Sequence, residues 1–87
     1  MVIDTIINRS VAGQILIFDG WFQIENDDAF DVWWKKDDLC IVIKPNRPYG
    51  INVAAVDSTF ENHISGTYFC GNIVAFSQAM TKLKLTS

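Results

Sequence analysis

The sequence predicts an α+β fold in one small domain, with a mainly antiparallel sheet of about five or six strands and two or three short helices. Its 87 residues fit a single domain spanning 1–87. Runs rich in β-branched and aromatic residues alternate with turn residues between 14 and 56, as antiparallel strands require. After residue 72, apolar residues recur at intervals of three and four, which is the spacing of one helix face. We therefore expect the helices to cover one face of the sheet.

The N-terminal part predicts a helix followed by a β-hairpin. Residues 2–12 place isoleucine and valine at helical spacing, and Gly13 suits the position just after a helix, although the β-branched content also favours a strand. Asp19-Gly20 separates two β-rich runs, 15–18 and 21–24. An Asp-Gly pair in that setting is the strongest short-range hairpin signal, because both turn positions require positive φ. We expect a short helix and then a hairpin that turns at Asp19-Gly20.

The rest of the sheet is predicted from four further β-rich runs, at 30–36, 39–44, 51–56 and 67–70. Asp37-Asp38 is a second tight turn between the first two of these runs, and residues 45–50 form a loop by composition. Residues 40–43 are apolar at every position, which predicts a strand that is covered on both faces.

In the run at 30–36, alternation decides which side chains point inward. If Val32 and Trp34 face the core together with Phe30, then Trp33 faces solvent beside its acidic neighbour Asp31. A slip of one residue in the register would reverse this assignment. We therefore expect Trp33 to be exposed.

Two helices are predicted in the C-terminal half. Residues 58–61 read Ser-Thr-Phe-Glu and fit the capping box, which predicts a short helix through Ile64. A longer helix is predicted at 73–82, with Asn72 as its N-cap. The alternation at 82–86 also suits an edge strand, but the spacing of the apolar residues favours the helix.

Composition and charge argue against several classes of function. A net charge of −3 and a pI near 4.7 argue against direct nucleic-acid binding, which relies on Lys and Arg at phosphates. No apolar run approaches the roughly 20 residues that span a bilayer, and the N-terminus lacks the basic start of a signal peptide. With only two cysteines, we expect reduced, buried thiols in a cytoplasmic protein. The slightly positive mean hydropathy, +0.16, favours a homo-oligomer or a partner interface.

No constellation of residues predicts catalysis, metal binding or a cofactor. The acidic residues at 27–31 lack the spacing of a calcium loop, and Cys40, His63 and Cys70 supply only three soft ligands without finger-like spacing. A Cys70–His63 pair is conceivable as nucleophile and base, but nothing in the sequence orients the imidazole or supplies an oxyanion hole. The five glycines form no phosphate-binding loop. We expect a protein that is not an enzyme.

The most informative segment is 19–38, which holds seven of the ten acidic residues and all three tryptophans. Interface hot spots are enriched in Trp, and surrounding acid steers a basic partner. The segment predicts a non-enzymatic inhibitor that occupies the basic, nucleic-acid-related face of another protein, of the phage counter-defence or antitoxin and immunity type. The residues assigned to this partner-binding surface are Trp33, Asp31, Asp27, Asp28, Asp37 and Asp38. The competing interpretation is that the aromatic residues form core and the acids solubilise two turns.

A second interpretation is a small-ligand binding protein. Lys44, Arg47 and Tyr49 form the one basic and aromatic spot, and they would hold a nucleotide-like anion by fork-like hydrogen bonds and stacking. Proline and glycine in the same loop also explain it as a plain rigid turn. A third interpretation is an oligomeric structural or accessory subunit, which the mean hydropathy favours.

Overall fold

A computed structural model describes residues 6–35, 39–57 and 62–86 of the chain. Within these residues five strands form one antiparallel sheet, in which each strand pairs with the next along the chain. In chain order the elements are α1 (Arg9–Phe18), β1 (Phe22–Asn26), β2 (Asp31–Trp34), β3 (Cys40–Pro45), β4 (Ile51–Val56), β5 (Tyr68–Cys70) and α2 (Ile73–Thr86). The α+β class and the mainly antiparallel sheet are thus confirmed, with five strands and two helices in the described part of the chain. Neither of these helices is long and apolar enough to cross a membrane.

Helix α1 ends where the sequence predicted the first hairpin. Asn8 caps its start, since its Oδ1 accepts a hydrogen bond from the Val11 N–H at 2.9 Å. At its end the Gly20 N–H donates to the Ile17 carbonyl and the Trp21 N–H donates to the Leu16 carbonyl, and Gly20 has a φ of 89°. This is the Schellman arrangement, in which a left-handed residue closes a helix.

Three sequence predictions about this region are therefore wrong. Residues 15–18 are the last turn of a helix and not a strand, and Asp19-Gly20 is a helix end and not a hairpin turn. Gly13, which was expected to end the helix, lies inside it. The physical reason is that an Asp-Gly pair satisfies both motifs, because each needs a residue with positive φ.

Both helices cover the same face of the sheet, as predicted. Alternate residues of the central strands meet the apolar faces of the two helices, and together they form the main core. The largest fully buried members are Phe76, Ile7, Leu16, Ile41, Ile43, Ile51, Leu83 and Val53. The opposite face of the sheet carries a smaller cluster around Val32, Cys40 and Val56, which no helix of the described residues covers.

Trp33 belongs to the main core, so the expectation that it faces solvent is wrong. The side chain is only 3% exposed, and it lies against α1 at Gly13, where an added Cβ would come within 3.0 Å of the indole Cζ2. The indole Nε1 makes no hydrogen bond within the described residues. The free energy gained by burying the ring therefore exceeds the free-energy cost of leaving this one N–H donor unpaired. Trp34 is the residue that turns to the opposite face, where it contacts Phe22 at 6.2 Å between ring centroids.

Asp31 is also buried, at 3% exposure, and Arg9 neutralises it. The Arg9 guanidinium donates from Nε to Oδ2 at 2.9 Å and from a terminal nitrogen to Oδ1 at 3.0 Å. The same guanidinium also donates to the backbone carbonyls of Asp27 and Asp28. The hydrogen bonding to the Asp31 carboxylate, together with the charge of that carboxylate, raises the pKa of Arg9 above its ordinary value. One side chain therefore joins the start of α1, the β1–β2 turn and the start of β2.

The C-terminal half agrees with the sequence prediction in part. Helix α2 is confirmed and extends beyond the predicted 73–82. Asn72 caps it, since the Ala75 N–H donates to Asn72 Oδ1 at 2.8 Å. The predicted helix through Ile64 is wrong over 62–64, which are not helical. The capping box at 58–61 lies outside the described residues, as does the predicted turn at Asp37-Asp38.

Both cysteines are buried and neither forms a disulfide, as the sequence predicted. Cys70 is fully buried. Burial raises the pKa of the Cys70 thiol from 9.0 to about 11, because the thiolate would be poorly solvated. This thiol is therefore a structural group and a poor nucleophile.

We expect Arg9→Met to lower the free energy of unfolding by about 2–3 kcal/mol, because Asp31 would remain buried without its cation. Urea unfolding followed by tryptophan fluorescence measures the change. Arg47→Met is the matched control, since Arg47 lies exposed in the β3–β4 loop and its loss should change stability by less than about 0.5 kcal/mol. Equal losses in the two variants would show that the Arg9–Asp31 pair is not a structural tie.

The pKa of Cys70 also predicts how stability depends on pH. Above the ordinary pKa of 9.0 the unfolded chain releases this proton while the folded chain keeps it to about 11, so the free energy of unfolding falls as pH rises through that window. One such group contributes at most about 1.4 kcal/mol per pH unit. Cys70→Ala lacks this dependence, so its stability deficit relative to the parent chain should shrink between pH 9 and about 11. Parallel pH profiles would contradict the assignment.

Candidate ligand pocket

The sheet face away from the helices contains a cavity of about 400 Å³. Its floor is a row of small apolar side chains, because Val32, Val42 and Ala54 are directly paired across three neighbouring strands. Val56 extends the floor by one position along β4. Valine and alanine at these positions leave a shallow depression, where larger side chains would fill the same face.

Lys44 and Asn52 form one end of this pocket. They are paired across β3 and β4, one position beyond the apolar row on the same face. Asn52 is held in place by donating from Nδ2 to Asn46 Oδ1 at 3.0 Å, and Asn46 in turn donates to the Tyr49 carbonyl at 3.2 Å. The Lys44 ammonium group makes no hydrogen bond or ion pair with any residue that the structure describes. A free ammonium group therefore stands at the edge of an apolar surface.

His63 and Thr67 line the side of the pocket toward β5. The segment before β5 lies along the outer edge of β4, where His63 forms a β-bridge with Val56. Two further bonds fix it, from the Ile64 N–H to the Ala55 carbonyl at 2.8 Å and from the Ala55 N–H to Ser65 Oγ at 2.9 Å. The imidazole is thus held at the pocket by the backbone, although the side chain itself is exposed.

Glu25 lines the opposite side, toward β1, and a β-bulge puts it there. Gln23 pairs with Trp33 and Glu25 pairs with Val32, so Ile24 is an extra residue without a partner. The bulge shifts alternation by one, and Glu25 takes the position over the pocket that Ile24 would otherwise occupy. The pocket is thereby bounded by a carboxylate on one side and by Lys44 at its end. Phe30 adds an aromatic wall.

This arrangement suits a small molecule with an apolar body and an anionic group. An apolar floor with a few fixed polar groups at its rim is the usual composition of ligand sites, and the volume lies near the lower end of their roughly 300–1,000 Å³ range. Lys44 would supply the positive charge, and Asn52, His63 and Thr67 would supply hydrogen-bonding groups. The described residues contain no group of three or more His, Cys, Asp or Glu side chains placed to hold a metal ion.

Of the three residues predicted to bind a small ligand, one lies in this pocket. Lys44 lines it, whereas Arg47 and Tyr49 lie in the β3–β4 loop and do not. The Tyr49 ring contacts the Phe69 ring edge-on, with centroids 5.8 Å apart. Gly50, with a φ of 85°, closes the loop. Lys44 therefore lines this pocket without Arg47 and Tyr49.

The predicted partner-binding residues are distributed differently from the prediction. Trp33 and Asp31 are inside the protein and cannot contact a partner on the folded chain. Asp27 and Asp28 are exposed in the β1–β2 turn, and the Asp27 carboxylate accepts from the Ala29 N–H at 3.0 Å. The two remaining residues, Asp37 and Asp38, lie outside the described part of the chain.

Four polar residues of the pocket were not identified from the sequence as site residues: Glu25, Asn52, His63 and Thr67. Alternation contains a signal for one of them, since Asn52 is two positions before Ala54 in a strand and shares its face. Nothing in the sequence indicates that Glu25 lies at the pocket, because the β-bulge that places it there cannot be predicted from the residue types. His63 and Thr67 lie in the irregular segment before β5. This segment has no helical or strand periodicity from which the positions of its side chains could be predicted.

Comparisons of the chain with protein-family models, with curated proteins and with solved structures find no match. The pocket must therefore be interpreted from its own geometry and chemistry.

Proposed function

We propose that this chain is a non-enzymatic binding protein for small amphipathic anions. The single observation that carries the proposal is Lys44, which stands without an acidic partner among the described residues at the end of an apolar cavity. A lysine beside bare apolar floor has its charge uncompensated by the protein, and a ligand carboxylate or phosphate would compensate it. The positive charge of Lys44 together with the apolar floor favours a ligand that has an anionic group and an apolar body.

The two parts of the pocket contribute to binding in different ways. Covering the apolar row would contribute roughly 25 cal/mol for each Å² of apolar surface removed from water. The charge of Lys44 would orient the ligand, since its headgroup must lie at the β3–β4 end of the pocket. Glu25 on the other side disfavours a second negative group there and so favours ligands with one anionic end. A nucleotide is compatible only if its base covers the floor and its phosphate reaches Lys44.

The inhibitor of a basic protein is less well supported than the ligand-binding function. That hypothesis depended on Trp33 as an exposed anchor beside Asp31, and both side chains are buried. Hot spots need an anchor that a partner can reach. The acidic turn at 27–28 stays exposed, but acid alone steers a partner without holding it.

The experiment that tests the proposal is titration calorimetry with three probes that share an anionic group: decanoate, phenyl phosphate and adenosine monophosphate. Anilinonaphthalene sulfonate fluorescence gives an independent measure with a probe of the same class. We expect Lys44→Met to weaken binding of the preferred probe by about tenfold, because one charge-assisted hydrogen bond is lost. Arg47→Met, which removes an equal charge from the neighbouring loop, should leave the affinity unchanged.

Val42→Trp provides a second, steric variant, because Val42 lies in the centre of the floor and an indole there would fill the cavity. Loss of binding in this variant with unchanged circular dichroism would locate the ligand on the sheet face. The proposal is contradicted if none of the probes binds, or if the Lys44 and Arg47 variants weaken binding equally.

A further inference from the structure

Glu25 brings a negative charge to the same pocket that Lys44 lines. The strand register sets it at the end of the line of apolar side chains that crosses the sheet through Val32, Val42 and Ala54. The Glu25 side chain is exposed, and its carboxylate makes no hydrogen bond or ion pair with any residue that the structure describes. The apolar floor is thus bounded by two charges of opposite sign that no described side chain neutralises.

The register also sets how far apart these two charges stand. Glu25 lies two strands away from Val42 in one line, and Lys44 lies two positions after Val42 in β3. With about 4.8 Å between neighbouring strands and about 3.3 Å for each residue along a strand, the Cα atoms of Glu25 and Lys44 are about 12 Å apart. The two side chains do not pair with each other, and part of the apolar floor lies between them.

A ligand that compensates both charges must itself carry two groups of opposite sign. We infer that the preferred ligand of this pocket is an amphipathic ω-amino acid, whose carboxylate binds Lys44 and whose ammonium group binds Glu25. The anionic group at Lys44 rests on the proposed function, and the ammonium group at Glu25 is the new element. With a charge-assisted hydrogen bond of about 2.8 Å at each end, the two ligand groups are about 6 Å apart when both side chains stand upright on the sheet. An unbranched medium-chain ω-amino acid spans this distance, whereas the two groups of an α-amino acid are attached to neighbouring carbon atoms.

Glu25 also discriminates between ligands that share the same anionic group and the same apolar chain. A fatty acid bound at Lys44 would lay its methyl end beside the Glu25 carboxylate, which would lose water without gaining a hydrogen-bond donor. An ammonium group at that end replaces the lost water. Because Glu25 is exposed, the contribution of this ion pair to affinity is modest, up to about fivefold.

The test is titration calorimetry of the full chain with probes of one chain length: octanoate, ω-aminooctanoate, α-aminooctanoate and octylamine. We expect ω-aminooctanoate to bind more tightly than its α-amino isomer and than octylamine, because it alone has groups that reach both charges. Glu25→Gln should weaken binding of ω-aminooctanoate by about fivefold. The same substitution should not weaken binding of octanoate or α-aminooctanoate, since neither has an ammonium group at the far end of its chain.

Asp28→Asn is the matched control, since Asp28 is an exposed acidic residue of the neighbouring turn that does not line the pocket, and its loss removes the same charge. It should leave the affinity for ω-aminooctanoate unchanged. Equal effects of the Glu25 and Asp28 variants, or an equal loss of affinity for octanoate in Glu25→Gln, would overturn the inference and leave the proposed function in place. If no probe binds, or if Lys44→Met leaves the affinity for octanoate and ω-aminooctanoate unchanged, the proposed function is contradicted and the inference falls with it.

Discussion

The bidentate contact between Arg9 and Asp31 is the interaction on which the arrangement of this fold depends. It joins the first turn of α1 to the first residue of β2, and its two additional bonds hold the turn between β1 and β2. The pair sets where α1 begins to cross the sheet, and so it sets where Gly13 meets the Trp33 indole. Because Trp33 is fixed toward α1, alternation turns Val32 and Trp34 to the other face, where the pocket lies.

The same constraint explains why the acidic and aromatic segment misled functional interpretation. Acidic residues are rarely buried without a partner, so Asp31 in a turn-rich segment indicates solvent when only its neighbours are considered. Its partner is 22 residues away and precedes the segment in the chain. Local composition cannot reveal an ion pair between residues that are far apart in the chain. Because Trp33 is two positions after Asp31 in β2 and shares its face of the sheet, burial of Asp31 on the helix side places Trp33 in the core as well.

The predictable part of the structure was the part that depends on local periodicity. Strands β2 to β5, helix α2 and its Asn72 cap follow from alternation, helical spacing and capping chemistry within a few residues. The end of α1 was not predictable in this way, because Asp19-Gly20 suits a hairpin and a Schellman closure equally. What decides between them is packing, since Leu16 and Trp21 lie together in the core only if the helix continues to Phe18. Of the polar residues of the pocket, only Lys44 was identified, because Glu25 arrives from the bulge and His63 and Thr67 arrive from the irregular segment before β5.

The single extra residue in β1 also has a consequence for how this protein tolerates change in length. Ile24 has no partner in β2, and the bulge that accommodates it lets Glu25 pair with Val32 over the apolar row. In a chain that lacks Ile24, Glu25 would still lie opposite Val32, because regular alternation after Gln23 places it there without a bulge. A substitution at Ile24 leaves the register of β1 unchanged. An insertion or a second deletion would instead move the side chain of each later β1 residue to the opposite face of the sheet. The chemistry beside the pocket is thus specified by residue count as well as by residue type.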